Sequence, residues 1–375
     1  MRYARILFVL SIISIAVWAA YSDDVAELRA GGQASVDVLH ARLVTLNGPE
    51  REAAEAQLDR VCAQKDCAAS RLFWYTDLDE AKAAAQRLHR PILALHMLGH
   101  LDEELSCANS RFFRTLLYSD ESIASILRGE YVLYWHSVRP VPRVTIEMGD
   151  GRVMRQTITG NSIHYLLDEN GAVLDALPGL YSPAAFRAQL QKWIDLRHSH
   201  ADMKSYHASL VRIEVTVPPA PKMRKPTAID ASARVYSKTA VEAPMLARMQ
   251  KPVGAQIADL RPLARWIAIG ERRKDQVKFS PASIELIRRK QFGNENAPDQ
   301  LRALLDNLRR TVAADTAYNE EVLHAQIHLW FVLGEVRDLD SLNERVYREL
   351  FLTPNDDPWL GLKPATVFTA IGGQS

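Results

Sequence analysis

"PILALHMLGHLDEELSCANSRFF" runs from Pro91 to Phe113 and joins two kinds of local structure. The stretch 91–98 is a short, continuous apolar run, the pattern of a strand buried on both faces of a sheet. "SRFFRTLLY" (110–118) is helical in pattern. Cys107 stands at the handover, and Ser110 occupies the position where a second cysteine would complete a redox pair. A cysteine at a helix start feels unpaired backbone N–H groups and the positive end of the dipole, which favours its thiolate. Asp102, Glu103 and Glu104 oppose that effect, because negative charge raises a thiol pKa. The same position equally suits a small buried hydrophobe, since cysteine is among the most buried residue types.

The surroundings extend the pattern in both directions. Upstream, "LFWYTDL" (72–78) reads as an aromatic strand, and "DLDEAKAAAQRLHR" (77–90) as an alanine-rich helix with an acidic first turn. Downstream, "SDESIASILRG" (119–129) reads as a helix capped by Ser119, and "YVLYWHSV" (131–138) as the next buried strand. "VTIEMGDGRVMRQTI" (144–158) predicts a hairpin turning at Gly149-Asp150-Gly151. "SIHYLLD" and "AVLDALPG", joined through Glu169-Asn170-Gly171, predict a second hairpin. "SPAAFRAQLQKWIDLRH" (182–198) closes the unit as a helix with Ser182 at its cap and Pro183 in its first turn. Residues 23–70 read as a polar helical segment. The stretch 201–254 reads as a proline-rich linker, and 255–375 as a helical domain with a stripe at Leu301, Leu304, Leu305, Leu308 and Val312.

At 375 residues, with 47% hydrophobic and 24% charged residues, the chain has room for about two domains and a substantial core. A formal net charge of +1 gives no electrostatic case for a nucleic-acid partner. The opening "MRYARILFVLSIISIAVWAAYSDD" has arginines, an apolar run from Ile6 to Tyr21, then small residues and acids. That is the layout of an export signal over 1–22, cleaved after Ala19 or Ser22, or of an uncleaved membrane anchor. Either reading places the rest in the periplasm or on the extracytoplasmic face of the membrane. In an oxidising compartment Cys62 and Cys67, in "VCAQKDCAAS", are expected to bridge, leaving Cys107 as the odd thiol.

The order strand, helix, strand, helix, strand, hairpin, hairpin, helix, with Cys107 at a strand-to-helix junction, resembles the thioredoxin-like fold family over residues 71–200. "RPILALHML" resembles the family's central strand. "YLLDENGAVLDALPGLYSPAAFRAQLQKW" resembles its closing hairpin and last helix, including the Asn170-Gly171 turn and Gly179. The resemblance implies a three-layer α/β/α sandwich, flanked here by the N-terminal helical segment and the C-terminal mostly α-helical domain. It implies Cys107 as nucleophile with Ser110 as its neighbour in a Cys-x-x-Ser motif. The chain departs from the family in lacking the second cysteine, and in lacking a proline in "TGNSIHY" (159–165).

A thiolate attacks a disulfide to form a mixed disulfide, which a second cysteine resolves. Ser110 supplies no second sulfur, so the expected activity is monothiol thiol-disulfide exchange or client holding through Cys107. The alternative is a non-catalytic thioredoxin-fold interaction or scaffold module. The expected partners are protein thiols or another envelope protein, together with the membrane if the N-terminal segment is retained. No cofactor and no metal are expected. His96, Met97, His100 and Cys107 are soft ligands, but His96 and Met97 alternate across a regular strand. His324 and His328 share a helix face at zinc-ligand spacing, but no glutamate follows His324, and the pair reads as surface.

Overall fold

The computed structural model describes residues 24–157, 160–211, 261–293 and 295–357. The expected export segment, and the part of the expected linker beyond residue 211, lie outside the described residues. No helix among the described residues is long and apolar enough to cross a membrane.

The centre is a four-stranded sheet in the order β2-β1-β5-β6. Strand β1 (Ile92–Leu98) pairs parallel with β2 (Val132–Arg139) and antiparallel with β5 (Ser162–Leu167). Strand β6 (Val173–Pro178) pairs antiparallel with β5. Every residue of β1 and β5 is buried, which matches the near-continuous apolar run of β1. Burying one leucine such as Leu93 or Leu95 contributes about 1.5–3 kcal/mol. A separate two-stranded ribbon, β3 (Arg143–Glu147) with β4 (Val153–Thr157), forms the first predicted hairpin and alternates exposed with partly buried residues.

Helices pack against the sheet. Helix α5 (Leu78–Leu88) begins at Asp77, whose carboxylate accepts from the Asp79 and Glu80 amides. Helix α6 (Ala108–Phe112) runs on into a π-helical turn at Phe113–Leu117. Helix α7 (Glu121–Glu130) is capped by Asp120, not Ser119; the Ser119 hydroxyl donates instead to the Thr115 carbonyl at 2.6 Å. Helix α8 (Pro183–His198) keeps the predicted Ser182 cap and brings Phe186 against His164 of β5. Before it, Gly179 has φ 80°, and a Cβ there would lie 2.6 Å from the Asn319 amide nitrogen. Glycine is required at that corner by backbone and by space.

The expected strand at 72–78 is not one. Only Tyr75 bridges β2, opposite Tyr134. The Phe73 amide donates to the Gln33 side chain and the Trp74 amide to the Cys62 carbonyl, so the segment's hydrogen bonds go to the N-terminal helices. Those helices are α1 (Val25–Ala30), α2 (Gln33–Arg42), α3 (Gly48–Cys62) and the single turn α4 (Cys67–Ser70). They enclose their own apolar cluster of Leu28, Val36, Leu39, Leu58 and Val61, to which Phe73 belongs.

Met203–Leu210, inside the stretch read as linker, forms helix α9 with Asp202 as its cap. Beyond it come α10 (Arg261–Arg273), α11 (Pro281–Phe292), α12 (Pro298–Tyr318), α13 (Ala325–Val332) and α14 (Leu339–Arg345). π-Helical turns follow α12 at Asn319–His324 and α14 at Val346–Leu350. One apolar cluster includes the sheet, α7, α8 and residues of α11 to α14. Tyr165 of β5 donates to Asn343 of α14 at 3.0 Å.

Candidate functional site

Cys107 is the cap residue of α6, with φ −59° and ψ 154°. Its amide donates to the Leu98 carbonyl at the end of β1, and its carbonyl accepts from the Arg111 amide. The strand-to-helix junction therefore lies where the sequence places it. The side chain is wholly buried, at 0% exposure. Ser110 is buried too, and its hydroxyl lies 2.6 Å from Ser106 Oγ and 2.8 Å from the Cys107 carbonyl oxygen. Burial holds the phenols of Tyr118 and Tyr347 well above their ordinary pKa, and nearby Cys107 is the next influence on both. The Tyr347 hydroxyl donates to the Asn161 carbonyl at 3.2 Å, and the Asn161 amide donates to Thr353 at 2.7 Å. The C-terminal helical region thus forms a roof over the cysteine turn.

Two of the three acids before Cys107 are paired with remote cations. Glu103 pairs with Arg143, and Glu104 with Lys290 at 2.9 Å. Burial opposes ionisation of Glu104, but the Lys290 contact wins and holds its carboxyl below the ordinary range. Lys290 also reaches Asp66 at 2.9 Å, and Asp66 faces the buried Arg114 guanidinium at 3.6 Å. Nearby, the sulfurs of Cys62 and Cys67 lie within bonding distance, with Cα atoms 6.3 Å apart. Asp59 accepts from the Cys67 amide and pairs with Lys65, which shapes the loop between them.

The soft-ligand group is not assembled. His96 packs edge-on to Tyr165, His100 packs against Trp135, and Cys107 is enclosed by its own turn.

A second group of side chains converges where β6 meets α9 and α13. Asp175 is fully buried on β6. One of its oxygens, Oδ1, accepts from the Ala176 amide at 2.8 Å and from His324 Nε2 at 3.1 Å. The other, Oδ2, accepts from Trp193 Nε1 at 2.8 Å and from the Tyr206 hydroxyl at 3.3 Å. His207 Nε2 lies 2.9 Å from the Leu174 carbonyl, and its Nδ1 faces His328 Nδ1 at 2.8 Å. Burial, reinforced by His324, pushes the His328 imidazole down to about 3. Burial alone would raise the Asp175 carboxyl; the three histidines, His324 first, hold it well below the usual range.

His324 and His328, read from the sequence as a surface pair, are buried at 6% and 5% exposure. The apolar neighbours Leu323, Ile327 and Trp330 carried that signal in the sequence, but the Asp175 and His207 partners come from distant elements. Donor atoms of Asp175, His207 and His328 all lie within 4.8 Å of one another.

Comparison with protein-family models, curated proteins and solved structures finds no match for this chain.

Proposed function

We propose that this chain is a non-catalytic, thioredoxin-like interaction or scaffold module of the cell envelope. The observation that carries this reading is the complete burial of Cys107 beneath the C-terminal helical region. Thiol-disulfide exchange needs the attacking sulfur to reach a client's sulfur. At 0% exposure the Cys107 side chain reaches one only if its surroundings open. Without a second cysteine at position 110, an exposed Cys107 would still be unable to resolve what it captured.

Three features support the thioredoxin-like part of the reading. The sheet order is β2-β1-β5-β6 with only β1 and β2 parallel. A cysteine caps the helix that follows β1. The last hairpin is followed by a helix, α8. The opening apolar run and the close approach of Cys62 to Cys67 support export to an oxidising compartment.

The test is cross-linking in intact cells with wild-type protein and Cys107→Ala. The scaffold reading expects the same partners from both, none released by reductant. Partners that appear as reductant-sensitive adducts of the wild type and vanish in Cys107→Ala would replace it with the thiol-exchange reading. For location, a reporter fused after residue 200 should be active outside the cytoplasm; activity inside would remove the envelope from the proposal.

A further inference from the structure

We propose that Asp175, His207 and His328 bind a divalent metal ion of the zinc class, which clasps β6, α9 and α13 together. The donor set is two imidazole nitrogens and one carboxylate oxygen, the borderline mixture that suits zinc. His207 Nδ1 and His328 Nδ1 are 2.8 Å apart, and His328 Nδ1 is 3.9 Å from Asp175 Oδ1. Ligand atoms each about 2.0–2.1 Å from a tetrahedral zinc stand roughly 3.3–3.5 Å from one another. The observed separations bracket that value, so small side-chain adjustments complete the site.

The protonation pattern favours the same geometry. His207 Nε2 donates to the Leu174 carbonyl, which leaves the Nδ1 lone pair directed at His328. Holding the outer nitrogen of a ligand histidine on a backbone carbonyl is the ordinary way its tautomer is fixed. With Nδ1 of His207 as acceptor, His328 Nδ1 must carry the proton shared between the two rings. A metal ion takes the place of that proton: the His328 proton moves to Nε2, both Nδ1 lone pairs turn to the ion, and no co-reactant is required. Trp193 and Tyr206 hold the remote oxygen of Asp175, and the Ala176 amide holds the near one, so the carboxylate is oriented in advance. His324 Nε2 donates to Asp175 Oδ1 at 3.1 Å and so adds to the orientation of the carboxylate without being a ligand itself. The proposed ligands are exposed by 0%, 1% and 5%, which marks a closed, structural site rather than one open to substrate.

The test uses full-length protein stripped with chelator and titrated with cobalt(II), then with competing zinc(II). The expected result is one equivalent of cobalt with the visible bands of a tetrahedral nitrogen and oxygen site, displaced by zinc. His207→Gln and His328→Gln should abolish the bands, whereas the double variant of exposed His198 and His200, each changed to Gln, should keep them. Trp193→Phe, which loosens only the carboxylate's outer partner, should weaken binding about 10- to 100-fold. For the case in which a ligand variant fails to fold, imidazole nitrogen spectra of the wild type supply an independent readout: zinc should shift Nδ1 of His207 and His328. Absence of a stoichiometric cobalt complex, undiminished affinity in both ligand variants, or imidazole spectra indifferent to zinc would each overturn the proposal and leave a purely hydrogen-bonded junction.

Discussion

Cys107 meets a solute only when its cover opens, so its alkylation rate reads the opening equilibrium as much as the thiol's nucleophilicity. Iodoacetamide should label it far more slowly in the native protein than in denaturant, and Tyr347→Ala should speed native labelling. Equal native and denatured rates would show an exposed thiol. Cys107→Ser should lower stability by about 1–3 kcal/mol in urea unfolding, because a hydroxyl replaces a thiol at full burial. Asp66→Asn should cost more, about 3–5 kcal/mol, since it strips the Arg114 guanidinium of a neighbouring charge at 1% exposure. A loss below about 1 kcal/mol, the range of exposed pairs, would mean water reaches that pair. Local sequence places Cys107 at its junction through the end of one apolar run and the start of a helical pattern. It does not show the burial, because the roof residue Tyr347 hydrogen-bonds to a carbonyl 186 positions away.

The elements that are legible are those whose signals are local. Gly149-Asp150-Gly151 and Glu169-Asn170-Gly171 turn both hairpins, and Ser182-Pro183 opens α8. "LFWYTDL" fails as a strand because its aromatic, β-favouring residues satisfy a different demand: they seal the seam between α3 and β2. Composition alone does not distinguish those uses. A similar constraint operates between helices. Gly270 of α10 lies so close to α12 that a Cβ would stand 2.4 Å from the Arg310 carbonyl oxygen and 2.9 Å from the Ala314 Cβ, both closer than real Cβ contacts allow. Gly270→Ala, although it raises helix propensity, should therefore destabilise by about 1–3 kcal/mol through overpacking. An increase in melting temperature would show that the two helices separate freely.

At the scale of the whole molecule, buried imidazoles set the acid limit. His96 and His164 are each pushed down to about 3, both by burial and His96 also by neighbouring His136. Their neutral forms fold; the unfolded chain protonates them near 6.5. Stability is thus fully present above about pH 6.5 and falls toward pH 3, by about 1.4 kcal/mol per pH unit for each histidine. Between pH 7.5 and pH 5 the pair should remove about 4 kcal/mol, and His164→Gln should recover about half of that pH dependence. Unfolding free energies that are flat across this range would contradict the burial. The mixed α/β class was legible from alternating elements; the intimate packing of the C-terminal helices was not, because their apolar stripes do not name the surface they cover. His207 shows why the cluster at Asp175 was missed: it lies in a stretch whose downstream prolines suggest a linker, and only the folded chain brings it to β6.

The Tyr165–Asn343 hydrogen bond joins residues 178 positions apart, and it sets a schedule for the chain. A ribosome adding 5–20 residues per second finishes β5 roughly ten to forty seconds before α14 exists to cover it. During that interval one face of β1 and β5 has no local substitute, and the contacts that close it are of the long-range kind that form slowly. The nascent protein therefore presents an apolar sheet face to its surroundings for longer than its size alone requires. A chain stopped before Asp338 should keep that face open indefinitely and partition into aggregates or chaperone complexes. The same segments added back in trans have lost the effective concentration that a tether supplies.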